Sequence, residues 1–431
     1  MRYLKVEQTA RLQGCIAIPG SKNSSLSLLA ASCLADEPVT LQGIPNLADF
    51  QVISEIAEEI GLQITRDSAG FVTIDPGRIQ HAVIDPKKSS MFRTAYYFVG
   101  ALLAKFGKVS VGYPGGDDFV SRPIDQHYKA LQMMGAKLTL HPDYYEVEAR
   151  ELKGATIYFD TISSGATINS LLAAVRAKGR TVLHNAARDP EVTDTANFLI
   201  QMGARITGAG TDTIQVEGVP YLHACTHTVI PDRLVAGAFL MAAGITGGAI
   251  TLRNVIPEHL RSCMAKLTEI GLSFDIQDDA ITAHLDGNIK AARIRTAMYP
   301  GFATDLQQPL TSLLLKAPGK SIIHEKIFPH RFHHVQQLKR MGADIDVRSG
   351  IAFIKGGHTL RGTLVHASDI RAGISLILAG MMAEGCTTIT GVQHIERGYE
   401  DVVHSFTSLG AKITLHDSTH DHDGRELCDA K

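Results

Sequence analysis

The sequence predicts an α/β fold of two domains, each an inside-out α/β barrel of three repeated β-α units. Two observations predict the repeats, and the composition predicts that the chain can fill two cores. A hydrophobic–Gly–small tripeptide recurs at Gly61, Gly135, Gly203, Gly271, Gly342 and Gly410, with 68 to 74 residues between successive glycines. Self-similarity at a fixed period marks a repeated supersecondary unit. Each repeat also follows the same order of segments. At 431 residues, with 45% hydrophobic and 20% charged side chains, the chain is too long for one ordinary core.

An apolar, small-residue segment at helical spacing opens each repeat, as in LSLLAASCLA from Leu26 or SLILAGMMA from Ser375. It is apolar nearly all round, which predicts a helix buried on every side. A Gly or Pro break follows, and then a β-rich run: VTLQGI, KVSVGY, TVLHNA, ITLRNV, SIIHEK and TTITGV. A loop leads to a second helix with polar residues on one side, which covers the sheet. That helix ends at the recurrent glycine, a residue suited to a left-handed C-cap. A second alternating strand follows: LQITR, AKLTL, ARITG, LSFDI, ADIDV and AKITL.

The uncharged stretch Leu234–Leu252 is long enough to suggest a membrane span. The repeat instead assigns it a helix, a turn at Gly247–Gly248 and a strand. Residues 22–230 are read as one domain, and residues 1–21 plus 231–416 as the other. The polar tail 417–431 is expected to be disordered, its histidines holding no metal. The six cysteines form no CxxC pair, so neither zinc nor a disulfide framework is expected. The N-terminus shows no signal-peptide pattern, and together these features predict a cytoplasmic protein. A net charge of −2 supplies no field for nucleic acid, so anionic ligands must be met by locally placed cations.

Charge concentrates in the loop after each β-rich run. These loops carry Asp49; Asp117, Asp118 and Arg122; Arg188, Asp189, Glu191 and Asp194; Glu258 and His259; His330, Arg331, His333 and His334; and Arg397. Arginine recurs at one structural place in both halves. If the halves face each other, Arg122, Arg331 and Arg397 converge, as forked recognition of phosphate and carboxylate requires. PGSKNSS at Pro19–Ser25 opens the first buried helix and places Lys22 at a helix N-terminus, an anion site.

An ordered set of motifs extends over nearly the whole chain. It comprises Lys22–Asn23; PGG at Pro114–Gly116 leading to RPIDQH at Arg122–His127; SGAT at Ser164–Thr167; and DPEVTDTANF at Asp189–Phe198. It continues with PDR at Pro231–Arg233, TD at Thr304–Asp305, FPHRF at Phe328–Phe332, DIRA at Asp369–Ala372 and RGYE at Arg397–Glu400. In this order the motifs resemble the UDP-N-acetylglucosamine 1-carboxyvinyltransferase family of enolpyruvyl transferases, which make the first committed step of peptidoglycan synthesis. The resemblance implies two domains of three β-α units each, helices inside and sheets outside. It implies phosphoenolpyruvate and UDP-N-acetylglucosamine as ligands, no cofactor, and a monomer that binds neither nucleic acid nor membrane.

Carried across residue by residue, the resemblance implies that Lys22, Arg122, Arg331 and Arg397 hold the phosphate and carboxylate of phosphoenolpyruvate. Arg93 and Asn23 lie by the sugar and the reacting centre. Pro123, Ile124, Asp125 and Gln126 cradle the uracil. Ser163, Ser164 and Gly165 meet the diphosphate, and Ile327 and Phe328 lie against the nucleotide. Asp305 is the candidate base at the sugar 3′-hydroxyl, and Asp369 and Arg371 support the donor side. The family usually has Cys where this chain has Asp117. That Cys is tied to proton transfer and product release, and fosfomycin alkylates it. A carboxylic acid in its place must have its pKa raised from about 3.9 by burial or like charge to deliver a proton near neutrality.

Other departures fall on the acceptor side: Thr161 stands for a Lys, Ala48 for a Lys, His330 for an Asn, and FATD at Phe302–Asp305 replaces FPTD. They leave open a sister enolpyruvyl transferase acting on another nucleotide or sugar, and a non-catalytic paralogue that binds UDP-sugar. 5-Enolpyruvylshikimate-3-phosphate synthase shares the ProGlySerLys opening, but its Arg shortly after the Lys is absent here, and RPIDQH argues against it.

Overall fold

The computed structural model describes every residue except 81, 92, 114, 116–123 and 418–431, with the side chains of residues 90, 91, 93 and 94 also outside the description. The first segment of each repeat is the expected buried helix: Lys22–Ser32, Tyr97–Phe106, Ser164–Ala174, Arg233–Thr246, Gln307–Leu315 and Ile370–Met382. Leu28, Leu102, Leu171, Leu240, Leu313 and Leu376 on these helices are fully or almost fully buried. Each such leucine contributes about 1.5–3 kcal/mol by leaving water. The uncharged stretch resolves into the helix Arg233–Thr246, closed by Gly247 at φ 68°, and the strand Ala249–Arg253. No helix among the described residues is long and apolar enough to cross a membrane.

All six recurrent glycines follow the end of a second helix in the left-handed region, with φ between 94° and 119°. A side chain with a Cβ is strained there, which gives the tripeptide its glycine.

The sheets are richer than the sequence pattern. In repeat one, Val39–Gln42 pairs antiparallel with Val72–Asp75, which pairs in turn with Gln63–Arg66. A short strand, Thr226–Thr228, runs parallel along the other side. Repeats three, four and five have the same four-strand plan. In repeat four, Gln13–Ala17 supplies the parallel strand beside Ala249–Arg253. In repeat six the N-terminal strand Arg2–Glu7 lies between Cys386–Thr390 and Ile413–Asp417, antiparallel to both. Among the described residues repeat two has three strands, with a parallel bridge from Val83 to Ser110 at the outer side.

Asp417 ends the strand Ile413–Asp417, where Arg2 of the N-terminal strand is its ladder partner. Residues 418–431 of the expected tail lie outside the described residues.

The chain divides into two compact units. One is Pro19–Ile230; the other joins Met1–Ile18 to the chain from Pro231 onward and is called the split unit below. Each has its own hydrophobic core. The Ser21 amide donates to Ile230 O at 2.7 Å, tying the start of the 19–230 unit to its end.

Candidate functional site

Within a repeat the inner helix begins where the β-rich run ends. In repeat three, the Thr167 hydroxyl in the first turn of Ser164–Ala174 accepts from the Ala187 amide, just past the strand Arg180–His184, at 3.0 Å. Chemistry-bearing side chains collect at these ends in both units. Lys22, Asn23, Ser163, Ser164, Gly165, Asp305, Asp369 and Arg371 lie at or just before starts of inner helices. Ile124, Asp125, Gln126, Ile327, Phe328, Arg331 and Arg397 follow β-rich runs. Arg93 begins the short turn Arg93–Tyr96 ahead of Tyr97–Phe106, and its side chain is outside the description. Asp117, Arg122 and Pro123 lie outside the described residues.

In the 19–230 unit, Ser21 caps the first inner helix by accepting from the Ser24 amide at 3.3 Å. Lys22, its first residue, places Nζ 3.1 Å from Asp49 Oδ2, with both side chains largely buried. Neighbouring Asn23 is half-buried. Ser163 caps the third inner helix through the Ala166 amide at 3.2 Å. At Gly165 a Cβ would come within 2.6 Å of the Tyr96 hydroxyl, so glycine lets Tyr96 pack onto that helix start.

The helix Asp125–Met133 is tied to the same region. Gln126 accepts from the Asp160 amide at 2.9 Å and donates to the Asp125 carboxylate at 2.8 Å and to Asp160 Oδ2 at 3.3 Å. Lys129 holds both Asp160 oxygens at 2.7 Å. Hydrogen bonds from Lys129 and then Gln126 keep the Asp160 carboxyl below the usual carboxylate range. Gln126, expected at the uracil, is thus tied to Asp160, which shortly precedes Ser163 in the chain. Asp194, expected in a charged loop, is instead buried within Pro190–Gln201, where it meets His227 Nε2 at 2.8 Å.

The split unit holds a denser arrangement. Asp305 lies in the short turn Thr304–Leu306 that leads into Gln307–Leu315, its side chain 27% exposed. Arg331 Nη1 reaches its Oδ1 at 2.5 Å, and Arg371 Nη2 its Oδ2 at 3.3 Å. Both arginines are buried. Burial works against the Arg371 charge, but Asp305, then Tyr399 and Asp232, outweigh it and hold the guanidinium above its ordinary value. Asp369 caps the sixth inner helix by accepting from the Arg371 and Ala372 amides at 2.8 and 2.9 Å, which fixes the backbone that carries Arg371. The Arg331 guanidinium lies 5.8 Å from the centroid of the Phe328 ring. Arg397 closes the short helix Val392–Glu396 and is half-buried.

Several participants were not singled out in the sequence. Glu325, Asp160 and Lys129 carry no motif of their own, and Thr304 and Tyr399 lie within motifs without a role assigned to them. Of the three outside motifs, Glu325 left a trace, as the one acidic residue at its position among the six β-rich runs.

This architecture, six β-α repeats with charge gathered where inner helices begin, defines an enzyme of the enolpyruvyl transferase class. It superposes on the enolpyruvyl transferase NikO from Streptomyces tendae with a TM-score of 0.87 and 25% identity, covering 96% of this chain and 99% of that one. An EPSP synthase from Acinetobacter baumannii shares the fold at a TM-score of 0.73 and 19% identity, over 97% and 100% of the two chains. The profile of the family described as EPSP synthase (3-phosphoshikimate 1-carboxyvinyltransferase) matches residues 6–406. Proteins named UDP-N-acetylglucosamine 1-carboxyvinyltransferase 2 are 46% identical in Bacillus cereus, over 96% of both chains, and in Listeria monocytogenes, over 95% of this chain and 97% of that one. The chain belongs to the UDP-N-acetylglucosamine 1-carboxyvinyltransferase family of enolpyruvyl transferases.

Proposed function

We propose that this enzyme transfers the enolpyruvyl group of phosphoenolpyruvate to the 3′-hydroxyl of UDP-N-acetylglucosamine and releases phosphate. The observation that carries the reading is Asp305 between two buried guanidiniums, Arg331 and Arg371. A carboxylate base beside cations suits a reaction that deprotonates an alcohol next to a multiply charged donor. The sugar oxygen bonds to C2 of the donor as C3 gains a proton. The C2–O bond to phosphate then breaks as C3 returns a proton. Asp305 takes the hydroxyl proton. Lys22, Arg122, Arg331 and Arg397 hold the donor's phosphate and carboxylate, and Asp117 delivers the proton to C3. Acid, base and cations suffice, so the reading needs no cofactor.

On the acceptor side, Ser163, Ser164 and Gly165 offer a capped helix start to the diphosphate. Asp125 and Gln126 take the uracil, with Ile327 and Phe328 against the nucleotide. The reading places the enzyme in the cytoplasm as a monomer, binding neither nucleic acid nor membrane. A second acceptor is favoured by one observation: Thr161 brings no cation to the diphosphate and is exposed.

The test is phosphate release from phosphoenolpyruvate with UDP-N-acetylglucosamine, UMP or shikimate-3-phosphate, with Asp117→Ala and Asp117→Cys in parallel. Release with the UDP-sugar alone, lost in Asp117→Ala, supports the reading. Release with another acceptor keeps the chemistry and moves the substrate. Silence with all three removes the reading. Fosfomycin should leave the wild type active and inactivate Asp117→Cys over time, because only the variant offers a thiolate to alkylate. Time-dependent loss in the wild type refutes that expectation.

A further inference from the structure

The six repeats close the end of their β-rich run at one equivalent position, occupied by Gly43, Gly112, Asn185, Asn254, Glu325 and Gly391. Four of these, Gly43, Asn185, Asn254 and Gly391, are left-handed, with φ of 76°, 54°, 53° and 78°. Gly and Asn are the residues such a turn accepts. The two asparagines share one structural task. Asn185 Nδ2 donates to Phe159 O at 2.8 Å, and Asn254 Nδ2 donates to Ile18 O at 2.6 Å. Both carbonyls lie just past the neighbouring parallel strand, Thr156–Tyr158 in one case and Gln13–Ala17 in the other.

Glu325 occupies the same slot and reverses the bonding. It reaches the equivalent residue past the parallel strand Arg293–Arg295, Thr296, but accepts from that hydroxyl at 2.7 Å. It then does what no asparagine there does. The Glu325 carboxylate also accepts from the Ile327 amide at 2.8 Å, the Phe328 amide at 3.0 Å and the Thr304 hydroxyl at 2.9 Å. The residue is 1% exposed. A buried carboxylate is costly unless fully bonded, and the repeats with Gly or Asn close their turn without one. Its presence therefore answers a need that closing the turn does not create.

The bonds identify the need. Thr304 precedes Asp305. Its single hydroxyl proton goes to Glu325, so the oxygen is left to accept, and Arg331 Nη1 lies 3.3 Å away while also reaching Asp305. Glu325 thereby orients the group that sets Arg331 on the candidate base. Through the Ile327 and Phe328 amides it also fixes the loop expected against the nucleotide. We propose that Glu325 is a positioning residue that couples the nucleotide-contacting loop Ile327–Phe328 to the Thr304–Asp305–Arg331 group, so that acceptor binding and base placement are set by one carboxylate. This rests on the transfer reaction proposed above.

The two arms can be cut separately. Glu325→Gln keeps the shape but removes the charge and one acceptor oxygen. Thr304→Val keeps the loop bonds and removes only the link to Arg331 and Asp305. Phosphate release should be measured with phosphoenolpyruvate and UDP-N-acetylglucosamine, each varied, together with Tm. Glu325→Gln should raise the UDP-sugar KM and lower kcat, each about 10-fold, with little change in the phosphoenolpyruvate KM. Thr304→Val should lower kcat about 10-fold and leave the UDP-sugar KM unchanged, within the up to 10²-fold that small misplacements cost. A lower Tm with wild-type kinetic constants in both variants would show a merely structural carboxylate and overturn the proposal. So would wild-type kinetics at unchanged Tm. If Glu325→Gln fails to fold, an unchanged kcat in Thr304→Val overturns the coupling on its own. A wild type that never turns over the UDP-sugar removes the reaction and this role together, whereas an active wild type with indifferent variants removes the role alone.

Discussion

The two units treat the same repeat differently. In the split unit buried charge gathers around the inner-helix starts of repeats five and six: Asp305 takes two buried guanidiniums, Asp369 caps the sixth helix, and Glu325, at the end of a β-rich run, accepts from backbone amides. In the 19–230 unit the helix starts of repeats one and three are capped by neutral serines, the largely buried Lys22–Asp49 pair lies at the first of them, and the other polar links run through Gln126 and an exposed carboxylate, Asp160. Buried charges hold fixed geometry in a low-dielectric setting, where their fields are strong. Neutral caps and exposed pairs give directional contacts with weak fields. On this reading the split unit supplies the base and its guanidiniums, with Ile327 and Phe328 toward the nucleotide, and the 19–230 unit supplies the other acceptor contacts together with Lys22, Arg122 and Asp117 for the donor.

The sharpest break would come at Asp305. Asp305→Ala should lower kcat by about 10²–10⁴-fold with a small effect on the UDP-sugar KM, as expected for a lost general base. Steady-state kinetics checks this, and a variant with near-wild-type kcat would end the assignment. Next is Lys22→Met, which removes the cation at the start of the first inner helix of the 19–230 unit. The phosphoenolpyruvate KM should rise about 10- to 100-fold, since hydrogen bonds to charged groups are about twice as strong as neutral ones. A KM change confined to the UDP-sugar would move Lys22 to the acceptor.

Smaller still, Gln126→Ala should raise the UDP-sugar KM about 5-fold and spare kcat, the pattern of lost uniform binding. If it lowers kcat as strongly as Asp305→Ala does, the division between the units fails. The smallest effect concerns stability. His334 is fully buried in the split unit, with both ring nitrogens unbonded among the described residues. Burial first, then the charge of Arg331, lowers its pKa from 6.5 to about 3. The unfolded chain takes up this proton near pH 6.5 and the folded protein only near pH 3. The neutral ring's contribution is therefore complete above pH 6.5 and is lost as pH falls toward 3. Melting curves of His334→Phe should show a flatter fall in Tm between about pH 6.5 and pH 4 than the wild type.

The repeat, its buried helices and its terminal glycines could be read in the sequence because each is a local pattern stated six times. Pairing across long separations could not. The flanking parallel strands are as short as Thr226–Thr228, and nothing near that segment announces Val39–Gln42 as its neighbour. The candidate site divides the same way. Lys22 and Ser163 lie at helix starts that capping residues announce. The bonds from Arg331 and Arg371 to Asp305 span 26 and 66 positions, a convergence that no spacing reveals. Glu325 was visible as an odd letter in SIIHEK, but only the bonds show that it faces Ile327, Phe328 and Thr304.

The N-terminal strand also sets an order of events during synthesis. Arg2–Glu7 lies between strands that end the described chain, with Glu7 opposite Cys386 and Arg2 opposite Asp417. At about 5–20 residues per second, the ribosome leaves this strand without its ladder for tens of seconds, while Pro19–Ile230 can already close. This early-made segment is therefore among the last to settle, because both of its ladder partners are made about 380 or more residues later. Until then Leu4 and Val6, fully buried once folded, wait without the strands that cover them.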